Sequence, residues 1–423
     1  MGPPAETASQ QASLDAIDLT DLDLFTEGFP HEVFTELRRS APVFWHQPTS
    51  HTPDGEGFWV LSRYHDIHAA AADSITFSSD RGGLRDGGGT LIEDLPAGFA
   101  SGVLLNMMDD PRHQRIRALV TPAVSPRALA AMEAELRDRA EMIVESAVAK
   151  GDCDFVVDVA AELPLQAIAR LLGVPQADRH RLFQWATTGL DYTDHDLGQT
   201  SARTEEAHAL LAEYAGWLIA EKRSEPGDDM LSAVVHGSVD GEPLSDLEHM
   251  MFFNLLIAAG SETTRNSIAI GMRALIEHPD QWSLLDQDRS LLPSAVEEML
   301  RWASPTAYNR RTASRDVEVG SQLIRAGEKV TLWWASANRD EHEFADPFRF
   351  DVLRDPNRHL AFGHGSHFCL GARLARLEML VLFSVLLDGI EAVELTGPFE
   401  WTRSNKHTGV RHMPVRLSPK ATK

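Results

Sequence analysis

The chain has 423 residues, with 63 Asp and Glu against 39 Lys and Arg, a formal net charge of −24. So acidic a body repels nucleic acid and anionic membrane surfaces and argues against both as main partners. The only two cysteines, Cys153 and Cys369, exclude a disulfide framework and fit an intracellular chain. Residues 1–20 are polar and acidic, without the basic start and apolar stretch of a secretion signal. The longest apolar runs, Met250–Ala259 and Met379–Leu387, are each about half of what a membrane span needs. These features describe a soluble, unanchored, cytoplasmic protein.

In chain order, residues 1–17 read as a flexible tail and residues 18–423 as a single domain, since no repeat or low-complexity linker divides them. "PVFWHQ" and "GFWVLSRY", separated by the turn-rich "TSHTPDGEG", predict a hairpin between Pro42 and Ile67. "RGGLRDGGGT" (81–90) reads as a loop, because it lacks the flanking strand and helix of a phosphate-binding turn. From Asp110 to Leu300 apolar residues recur at threes and fours, predicting mostly helix. Ser245-Asp-Leu-Glu248 is a capping box, and helix-compatible sequence runs from it to His278, ahead of Pro279. Such a helix would be ~50 Å long at 1.5 Å per residue, enough to cross a whole domain. Strand character returns over Ala313–Trp334, and a last helix is predicted over Leu370–Asp388.

The chemistry concentrates at Cys369, in "AFGHGSHFCLGARLARLEM". Gly363 and Gly365 loosen the backbone before it, and helical sequence begins just after Gly371. A Cys ahead of a helix meets free N–H groups and the positive end of the helix dipole, which favour the thiolate. Local composition leaves three readings open. His359, His364, His367 and Cys369 are four candidate zinc ligands within eleven residues. A lone thiolate among aromatics and glycines suits the axial position of haem iron. A buried structural Cys would need neither.

Phe362-x-x-Gly365-x-His367-x-Cys369-x-Gly371 resembles the haem-binding signature of the cytochrome P450 superfamily. The resemblance implies a mainly α fold with small β-sheets (α+β), with the haem buried between the long central helix and the Cys loop. It implies haem b (iron protoporphyrin IX) with Cys369 as its axial iron ligand, Phe362 beside the sulfur, His367 at a propionate, and Gly365 and Gly371 near the ring. Ala259-Gly-Ser-Glu-Thr-Thr264, midway along the long helix, resembles the oxygen-activation motif. Ala259 and Gly260 would face the haem, and Glu262 and Thr263 would be the catalytic acid and alcohol. Gly, acid and Thr are costly inside an apolar helix, and a Thr hydroxyl bonding back to a carbonyl can open a kink there. Glu298-x-x-Arg301 places acid and base side by side on a helix and resembles the superfamily's structural ExxR. Residues 337–354, with Asn338, Arg339, Asp340, Phe344, Pro347 and Phe350, look like its partner segment. His113-x-x-x-Arg117 resembles the propionate-binding helix, and Arg311 a third propionate partner. Cys153, in "GDCDF", matches no motif and reads as a small, partly buried residue.

The function implied is a haem-thiolate monooxygenase that inserts one oxygen atom of O2 into a C–H bond of a hydrophobic small molecule. Electrons would come from NAD(P)H through a ferredoxin reductase and a ferredoxin, with the enzyme a monomer. "FSSDRGG", "AGSETTRNSI" and "GVRHMPVRL" resemble the branch that oxidises steroids, terpenoids and methyl-branched lipids. The alternatives are tailoring of a polyketide or peptide, free or carrier-bound, and non-hydroxylating chemistry on the same fold. The implied pocket uses Phe252, Phe253 and Leu256 of the long helix, Pro305–Asn309 including Tyr308, and Thr408 to Val410 near the C-terminus. Residues 82–99 and 191–204 would be lids. Basic islands at 109–127 and 301–315, each with four Arg, interrupt the acidic body. Arg112, Arg115 and Arg376 are candidate docking residues for an acidic ferredoxin.

Overall fold

The computed structural model describes residues 14, 16–83 and 85–421. Most of the tail expected over 1–17 therefore lies outside the described residues; Leu14, within it, is buried in a cluster with Leu19, Phe34 and Trp333. Among the described residues helices dominate, and six small sheets decorate them.

The long helix runs Asp246–Glu277, with both reciprocal capping-box bonds formed between Ser245 and Glu248. Seventeen of its residues are buried, so it is the axis of the helical core. It packs against helices Glu162–Leu172, Arg179–Gly189, Ala202–Ser224 and Leu292–Ala303. Gly260 permits the first of these contacts: a Cβ there would stand 2.7 Å from Ile168 Cδ1. Helix Ala372–Gly389 packs on Pro126–Lys150. The latter starts at a Ser125 cap with Pro126 in its first turn, where the missing N–H costs nothing.

The expected hairpin is Val43–His46 paired antiparallel with Phe58–Leu61, Trp45 opposite Trp59. It extends into a five-stranded sheet, in which Lys329–Leu332 lies parallel to Phe58–Leu61 and antiparallel to Asn309–Ala313. The register sets Arg311 opposite Val330, fixing the arginine within the sheet. Cys153 is buried in a short strand, opposite Val415. No helix among the described residues is long and apolar enough to cross a membrane.

Candidate active site

The Cys loop is shaped by two left-handed glycines, Gly363 (φ +69°) and Gly365 (φ +73°). At Gly365 no other residue fits, since a Cβ would fall 2.2 Å from the carbonyl oxygen of Ala71. The Cys369 N–H donates to the Phe362 carbonyl at 2.9 Å. The sulfur receives the N–H groups of Gly371 and Ala372, at the start of helix Ala372–Gly389. Cys369 has exposed surface yet is deeply desolvated, so what it exposes faces an interior cavity. Burial pushes its thiol up, outweighing the two N–H groups and the charges of Arg117 and Arg376. A thiolate in this position calls for a cationic partner in the cavity. Phe362 lies 4.5 Å from the Arg376 guanidinium and 6.2 Å from the Phe368 ring.

The zinc reading does not survive the geometry. His359 pairs with Glu297 at 3.0 Å, His364 stacks on His68 and His367 stacks on His113. No group of three or more His, Cys, Asp or Glu among the described residues is placed to hold a metal ion.

A second cluster gathers beside the loop. The rings of His113 and His367 lie 4.1 Å apart. Asp110 accepts from Ser366 at 2.6 Å and pairs with His113 at 3.0 Å, tying helix Arg112–Val120 to the Cys loop. His367 is pushed down to about 2 by burial and the charges of Arg311, His113 and Arg117, so it stays neutral. Arg311 is 5% exposed, donates to the Arg310 carbonyl at 2.9 Å, and is pushed down to about 10 by burial. Among the described residues no carboxylate lies within 4 Å of Arg117 or Arg311. Two guanidinium groups without a protein counter-ion require carboxylates from elsewhere. A thiol facing an interior cavity and unpaired cations beside it fit an iron porphyrin with two propionates.

Across the cavity, Ala259 is exposed although it sits midway along the central helix, so its face lines the interior. Glu262 is 6% exposed; its Oε1 lies 3.6 Å from Arg265 and its Oε2 has no partner. The Thr263 hydroxyl donates to the Ala259 carbonyl at 3.0 Å. The helix nevertheless runs unbroken from Asp246 to Glu277. The back-bond thus coexists with a continuous helical run.

Behind the Cys loop, Glu298 and Arg301 have fully buried side chains and share two bonds of 2.7 Å. Arg301 also donates to the carbonyls of Asn338 (2.8 Å) and Pro347 (2.9 Å). Asn338 Oδ1 accepts from the Leu360 N–H at 2.6 Å, linking this network to the segment leading to Cys369.

Three expected wall residues need correction. Phe253 is 0% exposed and stacks on Tyr214, one helical face away from Ala259. The Tyr308 ring packs on Trp333 at 4.7 Å, with its hydroxyl accepting from the Ile92 N–H. Val410 is also 0% exposed, its N–H bonded to Asn266 Oδ1. A wall residue would keep surface toward the cavity; these three are core. Phe252 is almost fully packed, whereas Leu256, Asn309 and Thr408 keep partial exposure. Asn309 accepts from Trp334 Nε1, and the Thr408 hydroxyl is buried without a partner. Sequence reasoning missed Asn266 and Lys406. The first had a signal, an amide one turn beyond Glu262 in an apolar helix; the second had none, since nothing beside it in the C-terminal loop marks a lysine that will be buried.

The cytochrome P450 family model matches residues 165–392. Cytochrome P450 126 of Mycobacterium tuberculosis is 51% identical over 410 residues, covering 96% of this chain and 98% of that protein. The methyl-branched lipid omega-hydroxylase of the same organism is 40% identical, covering 98% and 97%. Among solved structures, a Mycobacterium marinum cytochrome P450 in complex with pseudoionone superposes with a TM-score of 0.87 at 37% identity, covering 95% of this chain and 98% of that one. With 95–98% of its length matched in sequence and in fold, the chain belongs to the cytochrome P450 family of monooxygenases.

Proposed function

We propose that residues 18–423 form one catalytic domain that hydroxylates an unactivated C–H bond of a branched, hydrophobic molecule: a steroid, a terpenoid or a methyl-branched lipid. The 40% identity, over nearly the whole chain, to a methyl-branched lipid omega-hydroxylase carries this reading. Haem b, when bound, supplies the binding and activation of O2. Cys369 would hold its iron, with Phe362 and Gly371 beside the sulfur. His113, Arg117, Arg311 and His367 would hold the propionates, and Ala259, Gly260 and Gly365 would leave room for the ring. Glu262 is the proton donor on the cavity side, because its unpartnered Oε2 is free to take up and pass on a proton. Thr263 is the alcohol through which that proton reaches the reacting oxygen, its hydroxyl now parked on the Ala259 carbonyl. The packed walls exclude water, and orientation comes from Leu256, Asn309 and Thr408.

Electrons come from NAD(P)H through a ferredoxin reductase and an acidic ferredoxin. The expected docking arginines are already paired, Arg112 with Glu248, Arg115 with Asp240 and Arg376 with Glu297. A ferredoxin would exchange these contacts for its own carboxylates, joined by the exposed Arg373. The cytoplasm, where both redox partners reside, is the proposed location.

Titration of the haem-loaded enzyme with steroids, terpenoids and methyl-branched lipids tests the substrate class. A low-to-high spin shift is expected with at least one of the three, and no shift with any of them overturns it. In Cys369→Ala the thiolate-type spectrum of the reduced CO complex should vanish; its survival would reassign the ligand.

A further inference from the structure

Four segments expected around the substrate each bring one ionisable residue to one cluster, in which Tyr308 is packed core and the other three lie about it. They are Glu93 from 82–99, Tyr192 from 191–204, Tyr308 from 305–309 and Lys406 from the C-terminal loop. Tyr308 feels the charges of Glu93 and Tyr192, and Lys406 those of Glu93 and Arg311. Glu93 and Tyr192 are deeply desolvated yet keep accessible surface, so they border an interior cavity rather than bulk solvent.

Lys406 is the unusual member. It is 8% exposed. Its carbonyl accepts from the Ala307 N–H at 2.9 Å, and the Thr408 N–H donates to Pro305 at 3.0 Å, which pins the loop to 305–308. The Lys406 Nζ donates to the carbonyls of Tyr308 (2.7 Å) and Thr90 (3.2 Å) and lies 4.6 Å from the Tyr308 ring. An ammonium carries three N–H donors, and two are taken by neutral carbonyls. No carboxylate among the described residues lies within 4 Å of Nζ. Lys329, the other buried lysine among the described residues, has three: Glu56 at 3.3 Å, Asp94 at 3.6 Å and Asp54 at 3.8 Å. Burying an ammonium without a counter-charge is expensive. Burial and the Arg311 charge bring Lys406 down to about 7, and an arriving anion would reverse that.

We infer that Lys406 anchors a carboxylate, presented by the polar end of an amphipathic substrate whose far end is oxidised. This rests on the substrate class proposed above and narrows it. A charge-assisted hydrogen bond at a dry site contributes about 1.5–3 kcal/mol, or roughly 10-fold to 140-fold in affinity.

The test titrates the haem-loaded enzyme with isopalmitic acid and with methyl isopalmitate, following the spin shift. The wild type should bind the acid about 10-fold tighter or more, Lys406→Met should bind both with the affinity of the ester, and Lys406→Arg should keep a preference for the acid. Equal binding of acid and ester by the wild type overturns the inference, as does a preference that survives in Lys406→Met. A haem propionate is the other carboxylate within the family's chemistry. If Lys406→Met shifts the iron reduction potential or haem retention while the acid-to-ester ratio stands, the partner is the propionate and the inference fails. Should Lys406→Met not fold, the wild-type ratio and Lys406→Arg still decide. Ester binding without acid preference sinks Lys406 alone, whereas silence from both ligands and from every steroid and terpenoid sinks the substrate class as well.

Discussion

Two Glu–Arg pairs, Glu298–Arg301 behind the Cys loop and Glu262–Arg265 on the central helix, are completed in opposite ways. Behind the Cys loop, the Glu298 carboxylate accepts from Arg301, Arg354, Asn357 and the Asp351 N–H, and Arg301 gives its remaining donors to carbonyls. On the central helix, Glu262 Oε2, Arg265 Nε and Asn266 Nδ2 are buried without partners. Satisfied buried networks rigidify, and open ones cost stability unless something completes them. The first side is built to hold a loop still. The second keeps donors and acceptors free for protons, water and substrate.

The largest effect should come from breaking the satisfied side. Arg301→Ala would leave Glu298 charged in a fully buried site and strand two carbonyls. Removing one partner of such a pair costs about 3–5 kcal/mol. The expected result is little or no haem-loaded protein, and a melting temperature well below wild type for any that is recovered. Normal yield and melting would mean that the network is ornamental and that the contrast between the two sides is false.

That contrast also separates what was legible in the sequence from what was not. The Ser245–Glu248 capping box is local chemistry, and it marked the helix start to the residue. The Cys loop was legible because Gly365 answers a backbone clash that only glycine escapes. Arg301 was legible as a pair with Glu298, but its carbonyl partners at Asn338 and Pro347 carry no side-chain signature. On the cavity side, orientation was the missing quantity. Phe252 and Phe253 are adjacent in sequence, yet their ring directions differ by one helical step of about 100°. Tyr308 turned toward Trp333 because a hydrophobic cluster from the N-terminal third of the chain waits there, a long-range fact with no local signal. Lys406 was overlooked for the same reason, since nothing nearby announces that a lysine will be buried.

A smaller effect is expected on the open side, and on function rather than on stability. Thr263→Ala removes one exposed hydroxyl bond to Ala259 and leaves the helix intact, so melting should move little. Proton delivery should suffer instead, with NAD(P)H consumed and peroxide released in place of hydroxylated product. The ratio of product to NAD(P)H consumed measures this. Unchanged coupling would remove Thr263 from the relay and leave Glu262 to act through water.

The smallest effect lies at the rim of the satisfied side, where Glu297 neighbours Glu298 but is 29% exposed. Arg376, with bonds of 2.6 and 2.8 Å, and His359, at 3.0 Å, hold the Glu297 carboxyl down to about 2 against the opposing pull of burial. A carboxylate held below its unfolded value stabilises the fold above that value, about 4.5, and the contribution is lost as pH falls toward 2. Solvent screening at the rim limits the contribution to about 1 kcal/mol or less. Glu297→Gln should therefore melt slightly below wild type at neutral pH, and the gap should close as pH drops below about 4.5. A gap that stays constant across that window would assign the loss to packing, and the rim would then belong with the interior of the network rather than with its solvent edge.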